Sequence, residues 1–113
     1  MREADRKQIL PLLGVLKGLG APQRVIVLAH LDNATRDKVY DCINQTLSHR
    51  SALPNEAKSC LRRKLWKHRG QLRCLRCRKV SKKVKRQKLI QMGGAPLGYL
   101  LKSMVPLMLK LYK

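Results

Sequence analysis

The sequence predicts an all-α fold, and three observations carry that reading. Apolar residues recur at three- and four-residue spacing in successive stretches, the period of a helix with one buried face. No stretch makes a convincing strand. Gly and Pro punctuate the periodic stretches, at Gly18, Gly20, Pro22, Pro54 and Gly93-Gly94. Five or six helices are expected.

The first spans residues 3–18, with Ile9, Leu10, Leu12, Leu13 and Leu16 on its apolar face and Leu19 just beyond. Pro11 lies inside it and either kinks it or marks its true start. Pro22 suits the first turn of a second helix, whose apolar residues are Val25, Ile26, Leu28, Ala29 and Leu31. Asp32 or Asn33 can cap a third helix, because a short side-chain oxygen satisfies an orphan backbone N–H. In that helix Val39, Ile43 and Leu47 recur at i, i+4 and i+8, with Tyr40 alongside. Residues 48–53 read as a loop. Pro54 opens a fourth, longer helix with Leu61, Leu65, Leu72 and Leu75 on one face and His68 in the same stripe. Ser81 is the expected N-cap of a helix from Lys82 to Met92, and Gly93-Gly94 its stop, through the left-handed conformation that glycine tolerates. The remaining residues form an apolar tail with widely spaced lysines.

The expected layout is therefore a helical core domain over 1–52, a basic helical arm over 53–92, and a Gly-Gly hinge with apolar tail over 93–113. With 113 residues the chain has room for one small domain, marginal unless a partner helps it. Three Tyr, one Trp and no Phe leave the core to Leu, Ile and Val.

Charge is the strongest signal. Twenty-six Lys and Arg stand against six Asp and Glu, a formal charge of +20. Residues 1–50 hold eight basic and five acidic side chains; residues 51–113 hold eighteen basic ones and a single acid, Glu56. From Lys58 to Lys88 there are fifteen Lys or Arg and no acid. A merely solvated surface mixes signs, whereas such a run repels itself and calls for an anionic partner. The candidate nucleic-acid contacts are Arg62, Arg63, Lys64, Lys67, Arg69, Arg73, Arg76, Arg78, Lys79, Lys82, Lys83, Lys85, Arg86 and Lys88. They would neutralise phosphates and release counterions without reading sequence, since no zinc-finger, helix-turn-helix or RNP pattern accompanies them. DNA is the expected partner, and RNA fits the same charges. Trp66 can stack on a base, but a lone Trp beside Leu65 reads first as helix interface.

Other chemistry finds little footing. Cys74 and Cys77 have zinc-knuckle spacing, with Cys60 and His68 nearby. A structural zinc site needs four converging ligands, and a second paired motif is missing; the expectation is ordinary thiols and no metal or other cofactor. No convergent catalytic constellation, glycine-rich phosphate loop or nucleophile motif can be named, so no enzyme is expected. Asp37 and Asp41, at i and i+4, read as surface ion-pair partners. No secretory signal is visible, and no run of eighteen apolar residues predicts a membrane span. In the tail, Leu97, Leu100, Leu101, Met104, Val105, Met108 and Leu111 form a helical face interrupted by Pro106. With Lys102, Lys110 and Lys113 that face suits a membrane interface; equally it suits a protein groove or the chain's own core. Leu97, Leu100, Leu101, Met104 and Met108 are the candidate docking residues, with protein favoured over membrane.

The segment LPNEAKSCLRRKLWKHRGQLRCL, followed by KVSKKVKRQKLIQMGG and an apolar Pro- and Leu-rich tail, carries a resemblance. It resembles small basic proteins of Polinton (Maverick) elements and of adintovirus-like or other adenovirus-related DNA viruses. These share a helical N-terminal domain, a Lys/Arg arm, a Gln-x-Gly-Gly step and a hydrophobic end; here the step is Gln91-Met92-Gly93-Gly94. The layout is also similar to the adenovirus core-peptide precursor. The resemblance covers about residues 53–113 and implies a virion protein, present in the host nucleus during assembly, whose basic part condenses the packaged DNA. It implies a viral protease site at Gly93-Gly94, although Gln91 stands where that protease prefers an aliphatic residue or Met. The leading expectation is a virion-associated structural protein that neutralises packaged DNA, with its helical domain docking on capsid proteins or self-associating. The alternatives are a minor capsid or cement protein held by its helices and tail, and a membrane-active tail released by processing.

Overall fold

In the computed structural model, which describes residues 3–48 and 53–111, the chain is helical throughout and its last helix lies at the centre. Seven α-helices and one 3-10 turn follow in order among those residues: α1 (Glu3–Gly18), α2 (Ala21–His30), α3 (Asn33–Leu47), α4 (Asn55–Lys64), the 3-10 turn (Trp66–His68), α5 (Arg69–Arg76), α6 (Lys82–Met92) and α7 (Ala95–Leu111). The all-α expectation holds. Most of the expected loop, residues 49–52, lies outside the described residues, as does Lys113.

Local chemistry places the boundaries. Asp32 caps α3 by accepting the Thr35 amide at 3.0 Å. That bond holds the Asp32 carboxyl below the usual aspartate range. Ser81 caps α6 by accepting the Val84 amide at 3.3 Å. Pro22 sits in the first turn of α2, where its missing N–H costs nothing. Pro11 and Pro106 lie inside α1 and α7, and both helices run on past them. Both prolines are exposed, as are Lys7 and Lys102 four residues earlier.

α7 packs on α1, α3, α4 and α6. Leu97, Leu100, Leu101 and Met104 have no exposed surface and Met108 is 1% exposed. They belong to one core with Ile9, Leu13 and Leu16 of α1, Leu28 of α2, Val39 and Ile43 of α3, and Leu89 and Met92 of α6. This corrects the expected division into domain, arm and tail. The first three helices do not close a core by themselves, and the apolar face offered for docking on protein or membrane is spent on the chain's own interior.

The basic arm is corrected as well. The helix expected to run on from Pro54 stops at Leu65, whose φ of −99° and ψ of 4° turn the chain into the 3-10 segment. Leu61, Leu65, Leu72 and Leu75 are all still buried. The break lets α4 pack on α7 while α5 packs on α3 and α6, so that two short helices bury their leucines on different partners. A projecting arm would enlarge the molecule. The Cα radius of gyration is instead 13.0 Å, and the extents are 33 × 32 × 30 Å, as expected of a closed domain of this length.

Gly93 and Gly94 also depart from expectation. No glycine among the described residues has a positive φ, and Gly93 is right-handed at φ −63°. Close approach explains Gly93 instead: a Cβ there would lie 2.9 Å from Val25 Cγ2 and 3.1 Å from Leu28 Cδ1. The junction is clasped by Arg24, which is only 6% exposed. Its Nη1 donates to the carbonyls of Gly93 (3.2 Å) and Gly94 (2.8 Å), its Nε to Leu16 (2.9 Å) and its Nη2 to Leu19 (2.8 Å). One guanidinium thus joins the C-terminal end of α1 to the α6–α7 junction, where carbonyl dipoles compensate its lost hydration. At the Gly93-Gly94 step Gly93 is buried, Gly94 is half-buried and both carbonyls are held by Arg24.

Candidate nucleic-acid interface

The turn at Leu65 shapes the charged surface. The C-terminal part of α3, helix α4, the 3-10 turn and α5 enclose an open groove of about 760 Å³. Its apolar floor includes Leu47, Leu53, Leu61, Leu65 and Leu72, and its cations are Lys58, Arg62, Arg69, Arg73 and Arg76. Among the described residues no acidic side chain lines it. The arginines come from the last turn of α4 and from α5. Cations in the last turn suit the partial negative charge of a helix C-terminus, so local helix physics favours the arrangement. Arg76 Nε donates to Asn44 Oδ1 at 2.9 Å, which fixes one wall of the groove to α3.

Trp66 stands on the rim. It is 58% exposed, so it is not the helix-interface residue that the sequence suggested. The Arg69 guanidinium lies 4.4 Å from its ring centroid, and Arg69 Nη1 donates to the Trp66 carbonyl at 2.8 Å. With Arg62 and Arg63, Trp66 lines a second recess of about 350 Å³. The indole therefore borders two recesses, each with arginine on its walls.

The fourteen expected contacts separate into groups. Arg62, Arg69, Arg73 and Arg76 meet at the groove, and Arg63 at the second recess. Lys67, Arg78, Lys79 and Lys83 are exposed outside both. Lys64 is exposed with its Nζ 4.5 Å from the Tyr99 ring centroid. On α6 several cations have internal work. Lys82 pairs with Asp37 at 3.3 Å, and Lys85 Nζ sits 5.5 Å from the Tyr40 ring centroid. Arg86 Nη2 donates to the Ala29 carbonyl near the end of α2 at 3.0 Å. Burial raises the Tyr40 phenol pKa against the opposing field of Arg36 and Arg86. Arg86, Lys85 and Lys88 are half-buried.

Sequence reasoning set Trp66 aside as an interface residue and left Lys58 out of the candidate contacts. A signal for Trp66 was present: Arg62 and Arg69 stand four before and three after it, which on a continuous helix places all three together beside the Leu61–Leu65 stripe. Cys77 lines the groove, and Cys74 is half-buried nearby in sequence. Among the described residues no three His, Cys, Asp or Glu side chains converge as metal ligands. Cys42 is buried in the core, and desolvation pushes its thiol up to about 12, which keeps it protonated and unreactive. No helix among the described residues is long and apolar enough to cross a membrane.

Comparison with protein-family models, with curated proteins and with solved structures gives no match.

Proposed function

We propose that this chain is a non-catalytic polyanion-binding protein that neutralises DNA without reading its sequence. The observation that carries the proposal is the groove with four exposed arginines around an open mouth and no acid among its described lining residues. Exposed arginines converging where no described lining residue is acidic favour phosphate, because a guanidinium can donate two parallel hydrogen bonds to it. Arg63, Lys67, Arg78, Lys79 and Lys83 are exposed cations beyond the groove and add to the positive surface. The resemblance to basic core proteins supplies a setting, the packaged genome of a DNA virus or mobile element. The readings in which the tail docks on shell protein or membrane lose their element, because α7 would have to leave the core.

Anisotropy titration of the whole chain on labelled duplexes of unrelated sequence tests the proposal. Affinity is expected to be indifferent to sequence and to fall steeply with salt, by ~0.9 log units per log unit of salt for each phosphate neutralised. Replacing Arg62, Arg73 and Arg76 together by Gln is expected to flatten that slope by about 3 while the chain stays folded. Unchanged affinity and slope in the triple variant would overturn the proposal.

A further inference from the structure

We infer that the groove is built for unpaired nucleotides, with Trp66 stacking a base, so that single-stranded nucleic acid is the preferred ligand. The inference rests on the polyanion-binding reading and narrows it to a substrate class. Charge alone does not require the other two features of the site. A duplex turns phosphates and sugars outward and keeps its base faces stacked inside, so it offers nothing to an apolar floor or an exposed indole. An unpaired strand presents phosphate and base face together. Here Leu61, Leu65 and Leu72 floor the groove, cations surround them, and Trp66 stands 58% exposed where the groove meets the second recess. The Arg69 guanidinium at 4.4 Å holds the indole in place and adds charge beside it. A strand crossing from one recess to the other would pass Trp66 and Arg62 together, since both side chains line both recesses. The volume of about 760 Å³ is large enough for a nucleotide-sized ligand.

Trp66 is the only tryptophan in the chain, so intrinsic fluorescence reports on this one position. The experiment titrates the whole protein with oligodeoxyuridine, with oligouridine and with a duplex of equal phosphate number, at one salt concentration. Quenching of Trp66 by the single strands, and tighter binding of a single strand than of the duplex, is expected; whichever of the two single strands binds more tightly identifies the sugar preferred. Trp66→Ala, followed by anisotropy of labelled strands, is expected to weaken single-strand binding by roughly tenfold, within the range for loss of one stacked base. Duplex binding should hardly change, and Trp66→Phe should restore most of the loss. Thermal unfolding of each variant checks the fold, which an exposed side chain should not disturb. Salt-dependent binding with no Trp66 quenching, or with equal losses on both forms, would overturn the single-strand inference and leave the polyanion reading standing. No binding to either form would overturn both.

Discussion

Arg24 shows how one side chain reorganises the reading of its surroundings. In sequence it is one of twenty-six cations. In the fold it is the buried clasp on four carbonyls, from Leu16, Leu19, Gly93 and Gly94. Arg24→Met keeps most of the stem and removes every donor. It is expected to cost at least ~3 kcal/mol in urea unfolding, because the orphaned carbonyls near the core lose a charged partner. The adjacent glycines provide a sharper test. Gly93→Ala places a methyl 2.9 Å from Val25 Cγ2 and is expected to cost about 1–3 kcal/mol. At Gly94 the nearest atom to an added Cβ is Ala21 Cβ at 3.8 Å, and no positive φ opposes the change. Gly94→Ala should therefore be neutral or stabilise by up to ~1 kcal/mol. A left-handed Gly-Gly stop would have penalised substitution at the position that adopts it. The sequence announced a break at these glycines. It could not announce its cause, because a close approach is set by Val25 and Leu28, about seventy residues away along the chain.

At the scale of elements, what depended on neighbours along the chain was legible and what depended on partners in space was not. The Asp32 cap, the Ser81 cap and the Lys82–Met92 span all follow from contacts within four residues, and each matches its expectation. The 3-10 turn at Trp66–His68 was hidden because the Leu61, Leu65, Leu72 and Leu75 spacing suits one continuous helix. The break follows from the separate burial of α4 on α7 and of α5 on α3 and α6. Helix α7 illustrates the same limit: periodicity found its apolar face but could not say what covers it. The difference is measurable. Leu101, with no exposed surface in the core, is expected to cost about 2–5 kcal/mol on substitution by Ala and to shift the unfolding of the entire chain in one transition. Were α7 a detachable tail, the same change would leave the denaturation midpoint unmoved. The candidate site was half legible for related reasons. The run of cations was plain, but their division between groove arginines and internal partners such as Arg86 on Ala29 needed the fold.

For the whole molecule the governing fact is a formal charge of +20 on a body about 33 Å across. Two ion pairs, Lys38–Asp5 and Lys82–Asp37, are closed between side chains of the described residues. Self-repulsion on that scale lowers the stability of the isolated fold, so mobile ions and bound anions should act on it in different ways. Raising salt screens the repulsion, and the melting temperature of the free protein is expected to rise with ionic strength. A bound strand stabilises by mass action, about 2.7 kcal/mol at a hundredfold excess over Kd. At roughly 4 °C per kcal/mol for a domain of this size, that is a shift of about 10 °C at low salt. Salt also competes with the strand for the cations, so the ligand-induced shift should shrink as the free protein gains. Melting curves with and without oligonucleotide should then converge from opposite sides as ionic strength increases. A free protein whose melting temperature ignores salt would show that the fold absorbs its charge internally, through contacts such as Lys64 and Lys102 over Tyr99 and Lys85 over Tyr40. Convergence would show the charge to be a standing strain that an anionic strand relieves, so that folding and binding draw on the same cations.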